Sequence, residues 1–452
     1  MNHMIRPVIG RGAVVGRVCP AGNASAPVAQ LPPPDRPACG SGEFRLERAS
    51  TKPGGLSPHP AYDMPAGETT SQAAGAGRRT VLHFTPSIGG GGAEAMLVNL
   101  VLAMDGARWR RIVVVVNGSA WPETISRLRD AGVEVHDLGA PAFLCKAALS
   151  GLTRLLRQTR PDVVQTWMHH ADFIGGWCAR LAGVRHVVWG VHCREIHRNP
   201  GDSDFKMRVF RWLLGASSHV VPARVVSCSA AALEEHTAWG YPRASLEWVP
   251  NGILTRRFGP SEEIRAETRR RMLLPADAPV VGFVGRFHEM KDLPTWLRAA
   301  ALLQTRRPET HFWLCGLGEQ ELDDAARAAL SIMPRRAQVH FTPFSHEPEK
   351  VYPALDVFSL SSRTEACPMT VIEALSCGTP CVTTDVGDCA RLIEKAGCVV
   401  PAGDAEALAR AWEEVLAAPR DARALHERAV ERFDIATAAR AYERIYEEVI
   451  AG

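Results

Sequence analysis

From Thr80 onward the chain alternates short runs of branched apolar residues with stretches of helical period, and few folds accept that order. Val81-Leu82-His83-Phe84 and the branched run 111–116 read as strands, followed by 133–136, 162–166, 186–190 and 225–228. Helical stretches are predicted between them, near 93–100, 122–131, 146–157, 172–182, 204–214 and 230–239. A second series starts at Pro279 and repeats the alternation, with strands 279–285, 310–315, 338–341, 355–360 and 380–384. Its helices are expected at 293–305, 320–330, 405–416 and 421–433, and an amphipathic helix over 437–450 closes the chain. Long strand–helix alternation demands parallel strands joined by crossover helices, which is a doubly wound α/β sheet. At 452 residues the chain is too long for one core. The expected organisation is a Gly/Pro-rich disordered tail (1–77), one Rossmann-like unit (78–250), a second (251–434), and a terminal helix (435–452).

Composition narrows the function classes. No run of about 18 apolar residues occurs, so no bilayer-spanning segment is predicted. The first residues lack the apolar block of a secretory signal, and the twelve cysteines form no metal-like spacing. A cytoplasmic protein with reduced thiols and no metal or other cofactor is therefore expected. Net charge is uneven: residues 78–250 carry 20 basic against 14 acidic side chains, whereas residues 251–452 carry 25 against 30. The basic middle favours an anionic acceptor or an anionic membrane surface, with peripheral contact at its inner face, over nucleic acid. No basic-aromatic platform for nucleic acid is visible.

The richest stretch is Ser361-Ser362-Arg363-Thr364-Glu365-Ala366-Cys367-Pro368-Met369-Thr370-Val371-Ile372-Glu373. It reads as a strand end, a polar turn and a short crossover helix with Pro368 at its first position. The helix start points from the carboxyl end of the sheet, where free N–H groups and the dipole favour an anion. Glu365 precedes the helix and Glu373 lies in it. Two carboxylates beside an anion-attracting helix end suit a ligand bearing both phosphate and hydroxyls.

This spacing resembles the glutamate–seven residues–glutamate motif of the retaining family-4 glycosyltransferases of GT-B fold, two Rossmann-like domains facing across a cleft. The resemblance extends over residues 80–450. It implies that Glu365 lies against the donor sugar and Glu373 holds the ribose, with Pro368 and Met369 at the phosphate end. It also implies that Arg286 and Lys291, after the strand over 280–285, bind the donor diphosphate. There two cations would stabilise the charge that builds on the leaving group. Gly89-Gly90-Gly91-Gly92, between the first strand and helix, would let backbone N–H groups approach that diphosphate. His192 resembles the family's cleft histidine near the donor sugar, and His169, His170 and Asp172 are candidates for the acceptor side. The terminal helix is expected to cross back onto the first unit.

Three departures bear on the sugar preference. Asp388 stands where the family usually has a second glycine, Arg391 where a glutamate is usual, and Ala366-Cys367 replaces Gly-Phe. The implied activity is transfer of a sugar from a nucleoside-diphosphate sugar to a lipid-linked or saccharide hydroxyl. Rivals are a non-catalytic saccharide-binding or scaffolding protein of the same fold, a nucleotide-sugar epimerase, or a phosphorylase. The last would need a pyridoxal-binding lysine motif that is not found. Asp202-Ser203-Asp204 looks like an Asp-x-Asp metal motif but sits before a helix, where Asp204 is expected to cap. On that helix a face of Met207, Val209, Phe210, Leu213 and Leu214 is expected to pack inward. Arg208, Arg211 and Trp212 are then left outside, suited to a membrane interface.

Overall fold

The computed structural model describes residues 77–140, 145–196, 203–343 and 347–452; the tail expected over 1–77 lies, but for Gly77, outside them. In the first unit, β1 (Arg79–Thr85), α1 (Gly92–Ala103), β2 (Trp109–Val115), α2 (Pro122–Asp130) and β3 (Glu134–Asp137) form one half. The other half is α3 (Lys146–Thr159), β4 (Val163–Thr166), α4 (His169–Leu181), β5 (His186–Val191), α5 (Asp204–Ser217), β6 (Arg224–Ser227), α6 (Ala230–Ala238) and β7 (Leu246–Trp248). The strands pair in the order β3-β2-β1-β4-β5-β6-β7. Every pairing is parallel, with Leu82 opposite both Ile112 and Val164. Ile112, Val113, Val114 and Val115 are all fully buried, as a central parallel strand covered by helices on both faces requires.

The second unit opens with α7 (Glu262–Arg271), then β8 (Val280–Val284), α8 (Leu293–Arg306), β9 (His311–Cys315), α9 (Asp324–Ser331), β10 (Val339–Thr342) and α10 (Pro348–Ala354). It continues with β11 (Val357–Leu360), α11 (Met369–Ser376), β12 (Cys381–Thr384), α12 (Cys389–Ile393), β13 (Gly397–Val400), α13 (Ala405–Ala417) and α14 (Ala422–Phe433). Its order, β10-β9-β8-β11-β12-β13, reverses direction between β8 and β11. The first sheet does the same between β1 and β4. At each switch point two loops leave the strand ends in opposite directions and open a crevice.

α15 (Ile435–Ala451) ends the chain on the first unit. Tyr442 stacks on Trp167, Tyr446 meets Trp109 edge-on, and the Tyr446 hydroxyl donates to Gln165 Oε1 at 3.2 Å. Glu443, almost fully buried, accepts from the Asp105 backbone N–H at 2.7 Å and pairs with Arg108. At the junction Ile253 and Asp434 form a bridge, so both segments that link the units meet at one place.

Several local expectations need correction. α11 starts at Met369, with Pro368 at the N-cap instead of the first helical position. Ser203, not Asp204, caps α5, accepting from the Lys206 N–H; a hydroxyl reaches that donor at low cost in helix geometry. α5 is also turned. Met207, Phe210, Leu214 and Ser217 face inward, Val209 is exposed, and Arg211 folds onto the Trp239 ring at 5.3 Å. The packing of α5 on α4 and the aromatic ring beside it set that rotation, which the helix sequence alone left open.

Candidate active site

Two anchors place Lys291. The Ser361 hydroxyl donates to the carbonyls of Lys291 and Asp292, and the Arg363 N–H donates to the Met290 carbonyl at 2.8 Å. The short turn after β8 is thereby tied to the loop after β11. The Lys291 ammonium then meets Glu365 Oε1 at 2.5 Å. The Ser362 hydroxyl donates to the same oxygen at 2.7 Å, and Thr384 holds the Ser362 carbonyl from β12. Lys291 is 24% exposed and Glu365 13%, so most of the pair's surface is withdrawn from water while part stays open. A lysine offers three donors, so one Nζ can bind Glu365 and still meet an anionic ligand.

Glu373 sits deeper, on α11. The Tyr352 hydroxyl donates to its Oε2 at 2.5 Å. Burial pushes its carboxyl up to about 7, opposed by the Tyr352 hydrogen bond and by Arg257, while Glu349 adds to the rise. Arg286 lies exposed just beyond β8 and has no ion-pair partner among the described residues. Sequence reasoning therefore named two cations in different states, Lys291 engaged and Arg286 open.

Across the crevice lies the glycine loop. Gly89 packs so close to the Trp121 ring that a Cβ would fall 1.9 Å from it, and Gly90 has φ +85°. Both positions exclude side chains. A Cβ on Gly92 would stand 3.4 Å from Met369 Cγ, so the start of α1 and the start of α11 confront each other. His192 follows β5 and stacks on Trp167 with ring centroids 4.5 Å apart. Burial holds its imidazole down to about 4, against a raising influence from Asn251, so the ring is neutral at pH 7. The Asn251 amide in turn donates to the Cys367 carbonyl at 2.9 Å, linking the histidine's surroundings to the motif loop.

The other first-unit candidates divide. His169 is buried with its Nε2 at 2.7 Å from His236 Nε2, and Asp172 accepts from the Thr166 hydroxyl and the Gly190 N–H. Asp172 thereby braces the ends of β4 and β5, while His169 ties the start of α4 to α6. His170 is half-buried against Phe210. No group of His, Cys, Asp and Glu suited to a metal exists among the described residues. Sequence reasoning missed Ser362, whose hydroxyl reaches Glu365 only three residues on, and Tyr352 and Asn251, whose roles depend on contacts at longer sequence separation; it assigned Trp167 no part.

Residues 90–257 match the family described as Glycosyltransferase Family 4, and residues 278–418 that described as Glycosyl transferases group 1. A GDP-mannose-dependent alpha-(1-6)-phosphatidylinositol monomannoside mannosyltransferase of Mycolicibacterium smegmatis is 30% identical over 277 residues, covering 58% of this chain and 70% of that protein. The lipopolysaccharide core biosynthesis glycosyltransferase LpsE of Rhizobium meliloti is 25% identical over 343 residues, 75% of this chain and 88% of its own. The crystal structure of Anabaena HepE in complex with UDP-glucose superposes with TM-score 0.69 at 18% identity, covering 82% of this chain and 99% of HepE. The fold is GT-B. The chain belongs to the group 1, family 4 glycosyltransferases. It is a retaining enzyme that transfers sugar from a nucleotide sugar in the synthesis of polysaccharide or glycolipid.

Proposed function

We propose that the crevice below α11 is the donor site, with residues 251–434 holding the nucleotide sugar and residues 78–250 receiving the acceptor. The Lys291–Glu365 pair carries this reading, because it sets one cation and one carboxylate side by side at the start of α11. Arg286, Lys291 and the N–H groups at Pro368 and Met369 take the diphosphate. Gly89, Gly90, Gly91 and Gly92 close over it from the facing unit. Glu373 accepts from ribose hydroxyls, Glu365 from the sugar, and neutral His192 hydrogen-bonds a sugar hydroxyl or the acceptor.

Transfer then proceeds on one face. The bond from the anomeric carbon to the diphosphate oxygen breaks, the acceptor oxygen bonds to that carbon from the same side, and its proton passes to the departing diphosphate. No protein nucleophile is required. The cations bind the diphosphate more strongly as its charge grows, which lowers the barrier instead of merely tightening substrate binding.

HepE was crystallised with UDP-glucose, and two mycobacterial relatives are named for GDP-mannose. The donor here is therefore a uridine or guanosine diphosphate sugar, and the acceptor is lipid-linked or a saccharide. Contact with an anionic membrane fits the exposed face of α5. At ~100° per residue Phe205, Val209 and Trp212 share one outward stripe. Phe205 and Trp212 are 67% and 68% exposed, and Lys206 and Arg208 flank them. Among the described residues no helix is long and apolar enough to cross a membrane, so such contact is peripheral. Calorimetry with UDP, GDP, ADP and their sugars tests the donor. Proton NMR of the product formed from the sugar that binds tests the chemistry. An α product from an α donor is expected, and a β product would overturn same-face transfer.

A further inference from the structure

Asp388 comes from the second unit, yet its carboxylate is spent on the first. It is fully buried, and its Oδ1 accepts from the Ser229 hydroxyl at 2.9 Å and the Ala231 N–H at 3.0 Å. Its Oδ2 accepts from the Ala230 N–H at 2.8 Å. These are groups at the start of α6. The opening of a helix leaves its first N–H groups without backbone partners, and a buried one must find an acceptor. Here the set is complete: Ser229 N–H goes to Ser227 Oγ, Ala230 and Ala231 to Asp388, and Ala232 to Ser229 Oγ. Half of the cap is thus supplied from across the crevice. A negative carboxylate at the positive end of the helix dipole strengthens these bonds.

The same residue is bolted to the donor loop through its backbone. The Asp388 N–H donates to the Ala366 carbonyl at 2.9 Å. Gly387 has φ +57°, and a Cβ there would lie 2.2 Å from the Glu365 carbonyl oxygen. Only glycine lets this turn lie flat on the Glu365-Ala366 backbone. One residue therefore joins the loop bearing Glu365 to the first turn of a helix in the opposite unit. Asn251, at the junction, adds its own bond to Cys367 O. Gly92 and Met369, by contrast, merely lie close: a Cβ on Gly92 would just reach Met369 Cγ.

We infer that Asp388 is a positioning residue, a latch that holds the two units closed with the Glu365 loop in register against the first unit before substrate binds. It touches no reacting atom and acts through Ser229, α6 and the Ala366 carbonyl. The inference rests on geometry at the crevice and does not depend on which nucleotide sugar is the donor. Opening the crevice must strip three acceptor contacts from one buried carboxylate, so the closed form is favoured by default.

Hydrogen exchange by mass spectrometry on the full chain without ligand, together with small-angle scattering, tests this on wild type, Asp388→Gly, Asp388→Asn and Ser229→Ala. Asp388→Gly is expected to speed exchange at Ala230 and Ala231 at least about tenfold, the equivalent of one charge-assisted hydrogen bond. It should also speed exchange in the Glu365-Ala366-Cys367 segment and enlarge the radius of gyration, while β1, β2 and β8 keep their protection. Asp388→Asn should fall between wild type and Asp388→Gly, because its Oδ1 keeps the Ser229 and Ala231 bonds while its amide nitrogen faces the Ala230 donor. Ser229→Ala, which keeps both backbone bonds to Asp388, should stay compact. Faster exchange confined to α6, with the motif segment and the radius unchanged, would make Asp388 a local cap and overturn the latch. Loss of protection throughout β1, β2 and β8 in Asp388→Gly, with Ser229→Ala remaining compact, would make the residue a folding determinant and overturn it equally.

Discussion

The two walls of the crevice are built from different materials. On the second-unit wall the candidate side chains are ionisable, and most are already engaged: Lys291 with Glu365, and Glu373 with Tyr352, with Arg286 left open. On the first-unit wall they are backbone and rings: four glycines, and a neutral histidine stacked on Trp167. Held charges cost little reorganisation when charge develops between them. A wall of glycine and ring faces sets shape instead. The difference teaches that charge is concentrated on the second-unit wall and shape on the first; in the proposed reading the second supplies the electrostatics and the first supplies approach and enclosure.

The comparison breaks most visibly at Glu365. Glu365→Gln removes the carboxylate that fixes Lys291, and turnover should fall by about 10²–10³, as for loss of one preplaced transition-state group. Nucleotide affinity should change far less. An equal loss in both, measured by initial rates and calorimetry, would place Glu365 in binding alone.

Glu373 allows a sharper cut. Its carboxyl is raised to about 7 from an ordinary 4.5, chiefly by burial. The native state therefore holds this proton more tightly than the unfolded chain. The stability this gives is fully present below about pH 4.5 and is lost as pH rises through about 7. Ribose hydroxyls donate better to the ionised form, so ribonucleotide affinity should rise roughly fivefold to tenfold between pH 6 and pH 8. Glu373→Gln should flatten that rise, leaving only the titration of the nucleotide phosphate itself, which inorganic pyrophosphate reports separately. An unaltered slope in Glu373→Gln would detach the group from the ribose.

Smaller effects are expected on the outer face of α5 in the first unit. Each basic residue near an anionic surface adds about 1 kcal/mol, and salt screens it. Lys206→Glu/Arg208→Glu should reduce pelleting with phosphatidylserine vesicles at low salt, and Phe205→Ser/Trp212→Ser should reduce it at any salt. Equal pelleting of wild type and both double variants would remove α5 as the contact.

Legibility followed the range of the interactions. β2 and β11 were readable because a parallel strand covered on both faces must be apolar throughout, and α11 because Pro368 and Gly378 punctuate it. α7 has no counterpart among the helices expected from the sequence. It is almost wholly polar, and its anchoring bonds run from Arg265 and Arg269 to Asp356, some ninety positions away. α10 hid behind Pro353 in its own interior, which local rules treat as a breaker. At the site, the spacing of Glu365 and Glu373 was visible, but the partners that fix them were not. Ser362 looked like any turn serine, and Tyr352 meets Glu373 only once β11 and α11 have folded back. Asp388 was noticed as an oddity in a glycine's place, and nothing local pointed to Ala230 on the far unit.

The central claim is that Lys291 and Glu373 read different parts of one nucleotide on the same wall. Calorimetric titration of Lys291→Ala and Glu373→Gln with pyrophosphate, and with a nucleoside diphosphate in its ribo and 2′,3′-dideoxy forms, separates them. Lys291→Ala should weaken all three ligands by about 1.5–3 kcal/mol, the range for a hydrogen bond to a charged group. Glu373→Gln should weaken the ribonucleotide alone and leave pyrophosphate and the dideoxy form at wild-type affinity. Unchanged affinity for every ligand in both variants would contradict the account and move the donor away from this crevice.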